Sequence, residues 1–491
     1  MTQTLGDFMR ILILGAGVSG HTSAFLLRKM LSKEHEIIVV SPNSKWNWIP
    51  SNIWVGIGHM TAEQVTFELK PVYKRMKIKY IQAKAIEIFP EGSSDSVRPF
   101  VKIESTEKES LGKVSDIDYD FLINATGPRL NFAATPGLGP EGFSHSVCTF
   151  DHAVQTAHEL DQLVEEMKKG AEKTFVVGTG HGMCTCEGAA FEYVFNLEFE
   201  LRKRGVRDKA KVVFITNEAE LGDFGVGGLN FQVGGYTTPS KVFAESLFVE
   251  RSVDWIIGAH VKKVENKSLE YETLDGEITT LAFDFAMLLP PFTGVPLKAF
   301  NKANEDISNQ LFNPAGFMKV DADYNQKPFE QWTAEDWPKT YQTKYSNIFA
   351  IGIAFAPPHQ ISKPQKSKNG TIIAPAPPRT GMPSGIMGRI VAMSFVHMIE
   401  TKTTKAIYTA SLAEIGAACI ASAGASAREG SAVSMTMFPI IPDYKKYPHY
   451  GRSLVYTTGE IGSAGHWIKK LLHYLFIYKA KGYPLWWLIP E

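Results

Sequence analysis

A short glycine-rich turn near the start of the chain constrains the fold more than any other feature. Residues 15–20 read Gly-Ala-Gly-Val-Ser-Gly and lie between an apolar run at 10–14 and a helix-like stretch at 18–31. Glycines at Gly15, Gly17 and Gly20 permit a tight turn and let the backbone approach a pyrophosphate, which the N-terminus of the next helix attracts. Because a strand precedes the turn and a helix follows it, the pattern predicts a βαβ unit that binds a dinucleotide.

A second strand–glycine–helix pattern covers residues 174–203. Its glycine spacing is broken, because Met183 stands where the third glycine belongs, and Cys184 and Cys186 crowd the turn. A cysteine at a helix N-terminus has a lowered pKa, since the helix dipole favours the thiolate. The pattern therefore favours a reactive thiol over a second pyrophosphate site, and Cys186 more than Cys184. The alternative is a pair of buried structural cysteines, which are common in proteins.

Composition excludes several classes of protein. The chain has 51 Lys and Arg against 51 Asp and Glu, so it is not a nucleic-acid binder driven by bulk charge. Four cysteines in 491 residues are too few for a secreted disulfide scaffold. A Cys-x-Cys pair without a further Cys/His cluster predicts no metal site. No apolar run approaches about 18 residues, and the N-terminal run leads into the glycine turn, so we predict neither a spanning helix nor a signal peptide.

The last 25 residues have a composition typical of a membrane interface. Residues 467–479 have helical spacing, with Lys469, Lys470 and His473 opposite an apolar face made of Trp467, Ile468, Leu471, Leu472, Leu475 and Phe476. A second aromatic cluster at 483–490 nearly ends the chain. Tryptophan, tyrosine and lysine at this density suit a helix that lies on a lipid surface. The alternative is a terminal helix docked on the core or on a second subunit.

The whole pattern predicts an α/β protein with two tandem Rossmann-like dinucleotide-binding domains plus a C-terminal membrane-associating region. Further buried strands are predicted at 36–40, 120–125, 211–216, 283–289 and 347–351. The predicted division is 1–150 for the first domain, 151–295 for the second, 296–400 for a return to the first, and 401–491 for the C-terminal region. The small-residue stretch 411–427 is compatible with either a strand or a helix.

Several further motifs are distinctive in combination. They are Ser41-Pro42-Asn43, Pro50-Ser51-Asn52-Ile53-Trp54-Val55-Gly56, Ala125-Thr126-Gly127-Pro128, Cys148-Thr149-Phe150-Asp151-His152, Cys186-Glu187-Gly188-Ala189-Ala190-Phe191-Glu192, Arg379-Thr380-Gly381 and Ala418-Cys419-Ile420-Ala421. With these motifs and the first glycine turn, nearly the whole chain resembles the sulfide:quinone oxidoreductases, which are two-dinucleotide-binding-domain flavoproteins. Type II NADH dehydrogenases are relatives of that family.

The resemblance implies a reaction and a partner set. In the family, two cysteines beside FAD are linked by a disulfide or a bridging sulfur, and sulfide attacks that link. Two electrons pass to the flavin and then to a quinone, and sulfur leaves as a growing polysulfide. The implied partners are sulfide, quinone and a lipid membrane surface, with a peripheral (monotopic) location and no nucleic acid. A homo-oligomer is left open.

The resemblance also assigns roles to single residues. Cys186 and Cys419 match the two redox cysteines, and Cys148 matches a third cysteine that is bonded to the flavin in some members. His152 matches a histidine thought to assist proton movement, although a plain helix-start residue is an equal alternative. Glu192 matches an acidic residue near the sulfur site. The implied FAD-binding residues are Gly15, Gly17, Gly20, Ser41, Asn43, Pro50, Ser51, Thr126, Gly127, Gly352, Arg379, Thr380 and Gly381.

The chain departs from the family at three positions, and two other functions stay open. Asp223 stands where a histidine is usual, Arg379 replaces a lysine, and Cys184 is an extra cysteine. The first alternative is a type II NADH:quinone dehydrogenase-like enzyme, for which Glu218 would be the ribose ligand. The second is a catalytically silent membrane protein that binds flavin or sulfur.

Overall fold

The computed structural model describes residues 8–185, 187–233, 235–378, 381–424 and 430–491. Three predicted site residues, Cys186, Arg379 and Thr380, lie outside the described residues.

The first glycine turn lies in a domain built on an eight-stranded sheet. The elements of its N-terminal part are β1 (Arg10–Leu14), α1 (Val18–Met30), β2 (Glu36–Ser41), β3 (Lys45–Asn47), α2 (Asn52–Gly56), α3 (Ala62–Val65), β4 (Thr66–Glu68), α4 (Leu69–Met76), β5 (Lys79–Phe89), β6 (Phe100–Ser105), β7 (Val114–Asp118), β8 (Phe121–Asn124) and β9 (Pro128–Leu130). Strands β8, β1, β2 and β5 are parallel neighbours, and β6 and β7 continue the sheet antiparallel. Strands β1 and β2 are apolar runs because helices and loops cover both faces of the sheet.

The broken glycine turn lies in a second, four-stranded parallel sheet. This part contains α5 (Phe150–Lys168), β10 (Lys173–Thr179), α6 (Glu187–Lys203), β11 (Ala210–Ile215), β12 (Asn230–Val233), β13 (Tyr236–Pro239), α7 (Ser240–Glu250), β14 (Asp254–Ile256), β15 (His260–Glu265), β16 (Ser268–Glu272), β17 (Ile278–Ala282), β18 (Phe285–Leu289) and β19 (Phe292–Gly294). The sheet order is β14-β11-β10-β18, and β15, β16 and β17 form an antiparallel sheet of their own.

The chain then returns to the first sheet. The returning elements are β20 (Lys298–Ala299), α8 (Ser308–Leu311), β21 (Ile348–Ala350), β22 (Gln365–Lys366), β23 (Ile372–Ile373) and α9 (Gly381–Thr401). Strand β21 pairs parallel with β8, and β20 pairs parallel with β5. The predicted strands and the two predicted Rossmann helices agree with the structure to within two residues at each end. The predicted α/β class with two Rossmann-like units is confirmed.

A three-stranded antiparallel sheet and a long helix complete the described chain. They are β24 (Ala417–Ala423), β25 (Ser431–Met437), β26 (Thr458–Gly462) and α10 (Ser463–Ala480). The small-residue stretch, undecided from the sequence, thus contains a strand. Strand β24 packs between α6 and α10, where small side chains let the backbones approach closely.

Helix α10 directs its histidines into the protein and leaves part of its apolar face exposed. His466 and His473 are fully or almost fully buried, whereas Ile468, Leu471 and Tyr474 are 50%, 57% and 59% exposed. The sequence correctly places His473 opposite the apolar face, but the polar face is the one that contacts the protein. This arrangement is the reverse of the usual one for a helix on a globular protein.

One helix among the described residues is long and apolar enough to cross a membrane. It is α9, with a mean hydropathy of 1.2 over its most apolar 18 residues, and 56% of that stretch is buried inside the protein. Helix α9 packs along α1, as a core helix does. The prediction of no spanning helix stays a prediction.

Candidate active site

The first glycine turn has the geometry of a pyrophosphate cradle. Gly15 has φ +104°, and a Cβ atom there would lie 2.1 Å from the carbonyl oxygen of Ala125. A Cβ atom on Gly20 would lie 2.2 Å from the carbonyl oxygen of Gly15, so both positions require glycine. Beside Gly17 there is open space, and the first turn of α1 carries no acidic residue. The N-terminus of α1 is therefore open to an anion.

The other predicted cofactor residues cluster at the same edge of the first sheet. Gly127, with φ +72° and open space beside it, follows β8, and Gly352, with φ +65°, follows β21. Ser41 is buried at the end of β2, and Asn43 is exposed just beyond it. Because the carboxyl ends of parallel strands share one edge, these residues surround one crevice at the switch point of the sheet.

Ser51 contacts the C-terminal helix. Its side chain is buried, and its hydroxyl is hydrogen-bonded to Nδ1 of His473 at 2.8 Å. Pro50 precedes it in a short 3₁₀ turn and is half-buried. The roles of Pro50 and Ser51 in binding FAD stay predictions, and the hydroxyl of Ser51 also connects that region to α10.

An apolar cavity joins the cofactor crevice to Cys419. Its walls include Gly352 from the end of β21, Ser384 from the first turn of α9, and Cys419 from β24; the others are Trp337, Ile353, Phe355, Pro357, Pro377, Pro378, Pro383, Met387, Leu412, Ala417, Ala418, Met437 and Ile440. On its other side, Cys419 lies against the start of α6, because a Cβ atom on Gly188 would be 3.4 Å from its Sγ. The structure therefore places this thiol between the crevice and the helix that follows the broken glycine turn.

The three described cysteines are free thiols with raised pKa values. Burial and, to a smaller extent, the Glu192 carboxylate raise the pKa of Cys419 to about 11, although the Lys469 ammonium acts in the opposite direction. Burial also raises the pKa of Cys148 to about 11. Cys184 is fully buried, its thiol donates to the carbonyl oxygen of Leu289 at 3.1 Å, and burial raises its pKa well above the usual value. The expectation of a lowered pKa is therefore wrong for Cys184, because loss of water outweighs the helix dipole.

Cys148 and His152 lie at the start of α5. The backbone N–H of Cys148 donates to Ser146 Oγ at 3.1 Å, and that of His152 donates to Thr149 Oγ1 at 3.2 Å. Within the described part of the chain, His152 Nδ1 is buried without a hydrogen-bond partner, and burial lowers the pKa of this histidine. The described contacts join neither residue to Cys419.

Several backbone donors of the broken glycine turn are already occupied. The N–H of Gly182 donates to His260 Nδ1 at 2.9 Å, and that of Met183 donates to His181 Nδ1 at 3.0 Å. The segment that leads from β23 to residue 378 lies against the turn, since the N–H of Ala374 donates to the carbonyl oxygen of Gly182 at 2.8 Å. A pyrophosphate at this turn would have to displace these hydrogen bonds and the segment that covers them.

Glu218 is directed into the protein and away from any ribose. It is 1% exposed, its Oε1 accepts the N–H of Phe224 at 2.6 Å, and its Oε2 accepts the Thr216 hydroxyl at 3.0 Å. Burial raises the pKa of Glu218 to about 8, and the carboxylate of Asp223 contributes. The buried Glu187 belongs to the same group of acids, because Glu218 and Asp223 also raise its pKa.

The comparisons with known proteins agree with this geometry. A family model described as "Pyridine nucleotide-disulphide oxidoreductase" matches residues 9–219. The sulfide-quinone reductase of Aquifex aeolicus (strain VF5) is 30% identical over 471 residues, which cover 96% of this chain and 91% of that protein. The chain belongs to the sulfide-quinone reductase family.

Two solved structures share the fold of this chain. The structure of the sulfide:quinone oxidoreductase from Aquifex aeolicus superimposes with a TM-score of 0.74 at 27% identity, covering 96% of this chain and 92% of the other. NDH2 from Plasmodium falciparum has a TM-score of 0.62 at 14% identity and covers 97% and 96%. The second likeness shows a shared fold alone.

Sulfide-quinone reductases are FAD flavoproteins, and the first crevice of this chain fits that cofactor. The turn around Gly15, Gly17 and Gly20 would hold the pyrophosphate, and the open space beside Gly127 and Gly381 would leave room for the rest, whereas Gly352 packs closely against Ser19 of α1. A two-electron carrier in this crevice would lie next to the cavity that contains Cys419. Arg379 and Thr380 stay predicted ligands.

The contribution of α10 to the site was not predicted from the sequence. Lys469 forms an ion pair with Glu192, and His466 is hydrogen-bonded to Ser422 on β24. The available signal was the spacing of these polar residues on one helix face. Polar residues on one face of a helix usually face solvent, so this spacing did not indicate that they contact the protein.

We expect Glu218→Gln to be more stable than wild type, with a larger difference in the free energy of unfolding at pH 8 than at pH 5. Between the ordinary pKa of 4.5 and the folded-state pKa of about 8, the folded state keeps a proton that the unfolded state has lost. The free energy of unfolding of the wild type therefore falls as pH rises through this window, and glutamine removes that loss. The expected relative gain at pH 8 is about 1–3 kcal/mol.

Thermal unfolding followed by tryptophan fluorescence at pH 5 and pH 8 measures this gain. The matched control is Glu220→Gln, whose carboxylate is 65% exposed and pairs with Lys241. An equal Tm difference between Glu218→Gln and wild type at both pH values would contradict the prediction.

Proposed function

We propose that this protein oxidises sulfide to polysulfide or sulfur and transfers the electrons through FAD to a membrane quinone. The observation that carries the proposal is the single apolar cavity shared by Cys419 and by Gly352 and Ser384 at the cofactor crevice. A thiol in that position can receive sulfur beside a two-electron acceptor. When bound, FAD supplies that acceptor and passes the electrons on to quinone.

The proposed sulfur chemistry starts from a link between Cys419 and Cys186, either direct or through added sulfur. Hydrosulfide attacks one sulfur of the link, the sulfur–sulfur bond breaks, and the displaced cysteine leaves with the electron pair as a thiolate. Burial makes a thiolate at Cys419 costly, as the raised pKa indicates. Apolar walls around the cavity exclude water, which protects a persulfide from side reactions.

His152 and Cys148 keep their proposed roles near the flavin. The buried Nδ1 of His152 has no hydrogen-bond partner among the described residues, so it is free to accept a proton. Cys148 is half-buried, four residues before His152. Whether Cys148 is bonded to the flavin is tested by denaturing the protein with acid and measuring the flavin that stays in the pellet.

We further propose that α10 and the residues after it bind the surface of a lipid membrane. Nine large apolar or aromatic side chains of this region are exposed, namely Trp467, Ile468, Leu471, Tyr474, Tyr478, Tyr483, Leu485, Trp487 and Leu488. An exposed set of this kind marks an interaction surface, and its aromatic content suits the headgroup region. A lipid surface also gives access to a lipid-soluble quinone.

The structure disfavours NADH as the electron donor. Backbone amides that would bind a second pyrophosphate are bonded to His260 and His181, and the segment after β23 covers the turn. Glu218, the candidate ribose ligand, is buried and bonded inside the protein. We therefore expect that NADH at millimolar concentration neither reduces the flavin nor raises the Tm of the protein.

Anaerobic addition of sulfide to the purified holoprotein tests the function, with NADH added in a parallel sample. We expect sulfide to bleach the visible flavin absorbance and a short-chain quinone to restore it. Absence of bleaching by sulfide would reject the proposal. Bleaching by NADH instead would support a dehydrogenase, and a flavin silent to both donors would support the binding protein.

A further inference from the structure

Helix α10 reaches the sulfur site through one lysine. Lys469 Nζ forms an ion pair with Glu192 Oε1 on α6 and donates a hydrogen bond to the carbonyl oxygen of Ile420 at 3.0 Å. Ile420 directly follows Cys419 on β24. Both charged side chains are nearly buried, with 11% of Lys469 and 8% of Glu192 exposed. The ammonium therefore lies between the strand that carries the thiol and the helix that follows the broken glycine turn.

Other polar contacts fix the same three elements. The N–H of Ser422 donates to Glu192 Oε1 at 3.2 Å, and the Ser422 hydroxyl is hydrogen-bonded to His466 of α10. Lys469 also lies over the ring of Trp54, 5.5 Å from its centroid. Because the backbone is held at both Ile420 and Ser422, the direction of β24 beyond Cys419 depends on α6 and α10 together.

Among the residues that the structure describes, few ionisable groups face Cys419. Helix α6 contributes Glu192, and α10 contributes Lys469, with His466 already bonded to Ser422. Strand β25 has no ionisable side chain, and neither has the first part of α9, which lines the cavity. The thiol is thus set between one negative and one positive charge of the same ion pair.

We infer that Lys469 is a positioning residue of the sulfur site, which holds the Cys419 strand against α6 and supplies the positive charge that faces its thiol. That this is a sulfur site rests on the proposed function, whereas the contacts of Lys469 do not depend on it. It also makes the proposed membrane helix part of the redox site, because its buried face carries Lys469.

The two charges act on the thiol in opposite directions. The Glu192 carboxylate raises the pKa of Cys419, and the Lys469 ammonium lowers it. Removing the lysine leaves a buried carboxylate beside the thiol, whereas removing the carboxylate leaves the ammonium. A purely structural role for the pair would shift the reactivity of Cys419 in the same direction in both variants.

The test is the rate of Cys419 alkylation by iodoacetamide in the reduced holoprotein, measured by peptide mass spectrometry between pH 7 and pH 9. Below the thiol pKa this rate follows the thiolate fraction, so one unit of pKa shift changes it about tenfold. At pH 8 we expect Lys469→Met to slow alkylation about tenfold and Glu192→Gln to accelerate it about tenfold. The double variant should lie between the two, and Lys469→Arg should stay within about threefold of wild type.

The control is Lys470→Met, which removes the same charge from the same helix, at a position whose charge acts on His473. Its Cys419 rate should match wild type. Equal rates in Lys469→Met and Glu192→Gln, or shifts in the same direction, would overturn the inference. If Lys469→Met loses its flavin, the acceleration in Glu192→Gln decides. None of these rates requires turnover, so an enzyme that fails to oxidise sulfide would leave this test valid.

Discussion

Replacing Cys419 by serine is expected to lower the rate of flavin reduction by sulfide at least about a hundredfold. The thiol lines a cavity whose walls also include Gly352 at the cofactor crevice. A serine hydroxyl fills similar space but cannot form a persulfide or leave as a thiolate. Anaerobic stopped-flow absorbance at the flavin band measures the rate, and the flavin content of each preparation is determined first.

Cys184→Ser is the matched control for this substitution. Cys184 is fully buried and donates to the carbonyl oxygen of Leu289, a bond that serine can keep. We expect its rate of sulfide-dependent bleaching to stay within about threefold of wild type. A Cys419→Ser variant that is bleached at the wild-type rate would remove Cys419 from the mechanism.

Polar substitution of the outward face of α10 is expected to release the protein from membranes. Ile468→Gln, Leu471→Gln and Tyr474→Gln together alter three side chains that are at least half exposed. Loss of this apolar area should weaken binding to lipid vesicles at least about 30-fold. Vesicle co-sedimentation at constant protein concentration measures the change, and the flavin spectrum should be unaffected.

Deletion of the C-terminal segment would be a poorer test. Lys469, His473, Lys479 and Trp486 are buried or nearly so, so truncation would expose polar and apolar surface in the core. The control for the triple α10 variant combines Val97→Gln, Leu111→Gln and Val114→Gln, which change three exposed apolar residues of the first domain. Unchanged sedimentation of the α10 variant, or equal release of the control, would reject α10 as the membrane contact.

The sequence predicts the Rossmann-like units well because their signals are local. Residues 11–14 are apolar at every position, and a parallel strand covered on both faces accounts for that. The stretch 411–427 lacks such a signal, since alanine and serine suit both strand and helix. The strand β24 forms there because α6 and α10 pack closely on both sides of it, and this packing cannot be inferred from the local sequence.

The candidate site was only partly predictable for a related reason. Cys419 is separated by more than 200 residues from the helix start at Gly188 that it contacts, so the residues alone cannot pair them, and the family resemblance was needed. The ion pair between Lys469 and Glu192 depends on which face of α10 turns inward. Glu218 has the sequence position of a ribose ligand, yet hydrogen bonds from the Thr216 hydroxyl and the Phe224 N–H hold its carboxylate inside the protein.

The backbone N–H groups of residues 182 and 183 are already hydrogen-bonded within the protein, so the backbone itself disfavours a nucleotide electron donor. Restoring a glycine at Met183 would not create a nucleotide site, because the histidines at 181 and 260 and the segment at 374–376 would still be hydrogen-bonded to the turn. A conversion to NADH would require removing several such bonds at once. Groups that bind phosphate in related folds act here as a scaffold, and donor specificity is thereby protected against single substitutions.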